Sequence, residues 1–152
     1  MTMLRRTVIG ALVAALVGGL TACASGSTST PSRVMEFRTP LSGSAQVPPN
    51  SSTATGMAEA RFDRQTQQLT WTVTHAGLSG PVTGAHIHGP AVPGSNAPVL
   101  IPFADPGASP ITGSAQLTPT QATQLVSGLL YVNLHTAAHP GGEIRGQLIQ
   151  AR

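Results

Sequence analysis

What chemistry this chain of 152 residues can do rests on its five histidines and one acid–base pair. His86 and His88 lie two apart in Gly84-Ala85-His86-Ile87-His88-Gly89-Pro90, so in an extended segment their imidazoles share a face. His135 closes the run Leu130 to His135, and His139, Glu143 and Arg145 follow around a Pro140-Gly141-Gly142 turn. Imidazole nitrogens ligate copper or zinc at ~2.0–2.1 Å. Where the two segments are neighbouring strands, His86, His88 and His135 converge on one ion, and Glu143 or His139 can complete the set. The competing reading is a hydrogen-bond network in which these histidines, with Asn133, Glu143 and Arg145, fix loop ends without a metal. Glu143 and Arg145, two apart on a strand, predict an ion pair that locks a hairpin.

Other chemistries lack their residues. The serines include none in a Gly-x-Ser-x-Gly elbow, the acids are scattered without a pair suited to glycoside hydrolysis, and no phosphate-cradling glycine loop occurs. The chain is therefore not expected to be an enzyme.

The elements that must position the histidines are strands. Leu130, Val132 and Leu134 alternate with Tyr131, Asn133 and His135, the period-two pattern of a strand with one buried face. After the turn, Ile144, Gly146 and Leu148 alternate with Glu143, Arg145 and Gln147, which completes a β-hairpin. Further strands are expected at 34–41, 56–62 and 69–75; in the last, Leu69, Trp71 and Val73 face one way and three threonines the other. His75 continues the Trp71 face and is read as a rim histidine with a backbone partner. Six prolines between His88 and Ile111 exclude long ladder pairing and leave only Val99 to Phe103 for a short edge strand. One helix is credible over Pro119 to Ser127: Thr118 and Gln121 form a capping box, Pro119 stands at the first position, Ala122, Leu125 and Val126 supply an apolar stripe, and Gly128 ends it. The echo between Leu41-Ser42-Gly43-Ser44-Ala45-Gln46 and Ile111-Thr112-Gly113-Ser114-Ala115-Gln116 is read as two similarly placed strands. The expected core holds Phe37, Phe62, Leu69, Trp71, Val73, Ile87, Leu130, Val132, Leu134, Ile144 and Leu148.

AHIHGPA at 85–91 and LYVNLHTAAHPGGEIRGQL at 130–148, with AQVPP at 45–49 and LSGPVTGAH at 78–86, resemble the CHRD domain, named after chordin and found in many bacterial envelope proteins. The resemblance covers Leu41 to Ile149. It implies an all-β fold, an antiparallel immunoglobulin-like β-sandwich, here with one short helix, and a non-catalytic binding or structural role. One departure stands out: His139 occupies the place before Pro-Gly-Gly where the family pattern usually has Asn or another small polar residue.

Composition narrows the setting. From Cys23 onward six arginines oppose five acids, a balance of +1, and there is no lysine. Nucleic acid, which needs a clustered cationic face, is thereby excluded as a partner. With 9% charged residues and abundant Thr, Ser, Gln and Gly, the surface is neutral and polar, suited to an extracytoplasmic strand-rich domain. Residues 1–22 read as a secretory leader: Arg5 and Arg6, an apolar run from Val8 to Leu20 too short for a comfortable span, then Leu20-Thr21-Ala22-Cys23. That ending resembles the bacterial lipobox, which implies that Cys23, the sole cysteine, is lipidated and becomes the new N-terminus. Residues 23–33 then serve as a flexible tether and 34–152 as the domain. The expected partners are a membrane, through the N-terminal lipid, and an envelope protein or polysaccharide. The alternative is a copper- or zinc-binding protein, or one that handles superoxide.

Overall fold

The computed structural model describes residues 32–107 and 109–151; the expected leader, Cys23 and nearly all of the expected tether lie outside them. Eight strands and one short helix are present: β1 (Val34–Ser42), β2 (Thr55–Asp63), β3 (Gln68–Ala76), β4 (Val82–His88), β5 (Val99–Pro102), β6 (Ile111–Gln116), α1 (Pro119–Val126), β7 (Tyr131–Thr136) and β8 (Ile144–Gln147). All pairings are antiparallel, in the order β5-β4-β7-β8-β1-β2-β3-β6. The period-two pattern explains the faces. In β3, Leu69, Trp71 and Val73 are buried while Thr70, Thr72 and Thr74 are exposed, and β1 and β2 alternate in the same sense. On the outer face of β1 and β2, Glu36 meets Arg61 and Glu59 meets Arg38, exposed cross-strand pairs that favour the register only slightly.

The sheet curls into a nearly barrel-like shape. Phe103, just past β5, stacks on Trp71 of β3 with ring centroids 4.6 Å apart. Gly113 of β6 pairs opposite Trp71, and any Cβ there would run into the indole, so glycine is what lets the ring lie across β6. All eleven expected core residues are buried in one cluster. Each large apolar side chain so buried contributes about 1.5–3 kcal/mol. The helix is capped as its sequence predicts: Thr118 Oγ1 accepts from Gln121 N–H, Gln121 Oε1 accepts from Thr118 N–H, and Gly128 follows at φ +70°. Of its apolar stripe only Ala122 and Leu125 are buried; Val126 is exposed.

Three expectations need correction. The fold is all-β, antiparallel, with one helix, but its strands form one nearly barrel-shaped sheet and not two separately bonded layers of an immunoglobulin-like sandwich. The seam is β8–β1, where Ser42 pairs with Arg145 and the chain end continues the ladder through Arg38 N–H to Ile149 O and Ala151 N–H to Glu36 O. Strand β7 is buried on both faces, Tyr131 to Leu134 without exception, because loops 43–50 and 91–97 cover its polar side. The echo does not mark two equivalent strands: Ile111–Gln116 is β6, whereas Leu41 and Ser42 end β1 and Gly43–Ala45 turn into a 3-10 helix.

Candidate metal centre

β4 and β7 are hydrogen-bonded neighbours, with His86 opposite Asn133, His88 opposite Tyr131 and His135 opposite Gly84. The absent side chain at Gly84 leaves room between the rings of His86 and His135; a Cβ there would stand 3.3 Å from His86 Cε1. One nitrogen from each of His86, His88 and His135 lies within 4.8 Å of the other two, and no other described trio of His, Cys, Asp or Glu does this. His88 is buried, and the other two rings are half-buried.

Elementary hydrogen-bond chemistry assigns the protons. A carbonyl can only accept, so His135 Nδ1, 2.9 Å from Pro140 O, and His88 Nδ1, 3.0 Å from Ala97 O, both carry hydrogen when the rings are neutral. Their Nε2 atoms are therefore bare acceptors. His135 Nε2 stands 3.2 Å from His86 Nδ1, whose proton it accepts. His88 Nε2 is buried and has no partner. Two nitrogens bound at ~2.0–2.1 Å to a tetrahedral ion stand about 3.3 Å apart, so the His86–His135 spacing is already that of a shared ion. The carbonyls of Ala97 and Pro140 hold two of the rings from behind, as outer-shell acceptors do for ligating histidines. Burial, then the charges of His135 and His88, pushes the His86 pKa below the ordinary histidine value. Burial also lowers that of His88, although its bond to Ala97 O pulls the other way. Both shifts favour the neutral ring, the form that ligates.

The other expected members lie elsewhere. Glu143 is 1% exposed, and its carboxylate is filled by four donors: Ser52 Oγ at 2.8 Å and Ser79 N–H at 2.9 Å on Oε1, Ser79 Oγ and Thr136 Oγ1, both at 2.6 Å, on Oε2. Burial opposes its ionisation, but these bonds outweigh it and hold the pKa at about 2. It is not placed to complete a metal shell. Nor does it pair with Arg145. Glu143 precedes β8 and follows Gly142 at φ +124°, so the alternation breaks at the turn: its carboxylate reaches Thr136 while Arg145 reaches Tyr131. His139 supports the turn through its backbone, its carbonyl accepting from Gly142 N–H at 3.0 Å, and its ring is outside the trio. Asn133 accepts from Gln46 Nε2 at 2.7 Å and donates to Gly141 O at 3.3 Å. His75 stays apart on β3; its backbone N–H donates to Ser109 Oγ, and its ring Nε2 has no partner.

Sequence reading missed Tyr131, Gly84, Ser52 and Ser79. Tyr131 stacks on His88 with centroids 4.9 Å apart and has Arg145 Cζ 3.4 Å over its ring. Its shared parity with Asn133 and His135 was the available signal. Ser52 and Ser79 carried none, since they meet Glu143 from 91 and 64 residues away. In comparisons with known proteins, a family model described as CHRD domain matches residues 37–148. No curated protein and no solved structure matches the chain.

Proposed function

The chain belongs to the CHRD domain family, and from that premise we propose that it is a lipid-anchored domain of the cell envelope that binds one copper(II) or zinc ion at His86, His88 and His135, without turnover. The observation that carries the reading is the trio itself, three imidazole nitrogens within 4.8 Å with the buried His88 Nε2 lacking any other partner. An all-imidazole shell suits zinc and copper(II) and leaves a further coordination position for water or an outside ligand. The test is calorimetric titration of Zn(II) and Cu(II) into metal-free protein made without a His tag, beside a His86→Ala/His88→Ala/His135→Ala variant. Stoichiometric binding in the wild type and its loss in the variant are expected. Equal, weak binding in both would leave the histidines as scaffold, the role their ring-to-ring and carbonyl bonds would then have. An assay of superoxide dismutation on the copper-loaded protein separates plain binding from redox turnover.

Anchoring rests on the Leu20-Thr21-Ala22-Cys23 ending and on Cys23 being the sole cysteine. Mass spectrometry of the mature N-terminus is expected to find a diacylglyceryl group on Cys23. A Cys23→Ser protein that is still cleaved there and equally membrane-bound would overturn the assignment. The neutral, threonine-rich surface suits docking of an envelope protein or polysaccharide.

A further inference from the structure

Arg145 is a buried cation without an anion. It is 2% exposed, its Nη1 donates to Asn96 Oδ1 at 3.1 Å, its Nη2 donates to Ser95 O at 2.7 Å, and its guanidinium lies over Tyr131. Among the described residues the ion pairs are Arg33–Asp63, Arg38–Glu59 and Arg61–Glu36, so no carboxylate reaches Arg145. The nearest acid in sequence, Glu143, is saturated by hydroxyl and backbone donors. Neutral acceptors and a ring face offset only part of what a guanidinium loses on leaving water. Burial accordingly pushes its pKa down.

Arg145 also lines an open cleft of about 330 Å³ between the 44–49 and 93–94 loops. The other walls include Ala45, Val47, Pro49 and Pro93, with Gln147 beside the arginine. An apolar cleft of this size with one cation in its lining has the makings of a small-molecule site. The loops that form it are held in place: Asn96 Nδ2 donates to Val47 O at 3.0 Å, tying one wall to the other, while Gln147 Nε2 donates to Ala91 O and Gly128 O. We propose that this cleft binds a small carboxylate with an apolar body, the carboxylate seated on the guanidinium of Arg145 and the body against Val47, Pro49 and Pro93. The planar fork of arginine matches a carboxylate, and the burial of Arg145 strengthens the pairing.

The cleft includes none of the three histidines, although Tyr131 lies between Arg145 and His88, and the test uses metal-free protein, so its outcome is read independently of metal binding. Benzoate, its uncharged isostere benzamide, and inorganic phosphate are titrated into ¹⁵N-labelled full-length domain, following the Arg145 Nε–H and the Gln46 and Gln147 side-chain amides. Benzoate is expected to shift these resonances saturably, and benzamide and phosphate to leave them in place. Affinity for benzoate should fall by roughly tenfold or more in Arg145→Gln. Should Arg145→Gln fail to fold, Val47→Trp, which fills the cleft and keeps the arginine, should abolish the shifts instead. Equal response to benzoate and benzamide, equal response to phosphate, no response at all, or benzoate binding unchanged in a folded variant would each overturn the proposal.

Discussion

Lowering the pH from about 7.5 to about 5 should strip zinc from the proposed three-histidine site, because each imidazole must be neutral to bind. The sign follows from proton competition. His86 and His88 have pKa values held below the ordinary histidine value by burial, so both remain ligands somewhat below pH ~6.5, and release begins later than for exposed histidines. Below those values affinity should fall by roughly tenfold per pH unit for each ligand that must lose a proton. The metal-free protein should move in the same direction. A histidine whose pKa is depressed on folding takes up its proton first in the unfolded chain, so the stability it contributes is present above ~6.5 and is lost as pH falls toward the folded value. Zinc affinity measured by competition with a chelator across this range, together with melting curves with and without zinc, checks both effects. Affinity flat across the range would mean that the ion sits on groups other than these histidines.

Replacing Glu143 by Ala should be among the most destabilising single changes in the domain. The carboxylate accepts four hydrogen bonds from Ser52, Ser79 and Thr136. It thereby joins the loops before β2 and β4 to the β7–β8 turn, and Asn50 Nδ2 adds a bond to the Glu143 carbonyl at 3.0 Å. Truncation leaves those donors facing a void, at about 1–3 kcal/mol for each one that stays buried and unpaired. A fall in melting temperature of roughly 10 °C or more follows. Glu143→Gln keeps the shape but turns an amide NH₂ toward donors, and should cost less. The charge has its own signature. With the folded pKa held at about 2, the carboxylate contributes about 3 kcal/mol at neutral pH. That stability is present above the unfolded pKa of ~4.3 and lost as pH falls toward 2. Acid unfolding should therefore steepen between those values in the wild type, and Glu143→Gln should show less of it. Identical acid profiles for the two proteins would remove Glu143 from that role.

The alternation of Leu69, Trp71 and Val73 with threonines, and of Leu130, Val132 and Leu134 with polar residues, was enough to place the strands and name the core, because a side chain's face depends on the parity of its own strand. The helix was equally legible, since Thr118, Pro119, Gln121 and Gly128 act within one or two turns. The same local rule put His86 and His88 on one face. It could not say which strands become neighbours. The bond from His86 to His135 spans 49 residues and exists only because β4 pairs with β7 in the register that sets Gly84 against His135. Parity also fails where the backbone leaves the strand: at Gly142 the φ of +124° turns Glu143 toward Ser52 and Ser79, and the expected Glu143–Arg145 pair does not form. Whether the strands made two layers or one curled sheet was likewise settled by a seam in which the chain end pairs with β1. Strand faces, the helix and the candidate ligands are set by interactions over a few residues and are therefore legible in the chain alone. Sheet order, register and the partners of each buried polar group come from the folded chain, because these depend on hydrogen bonds between segments whose separation along the chain carries no local signal.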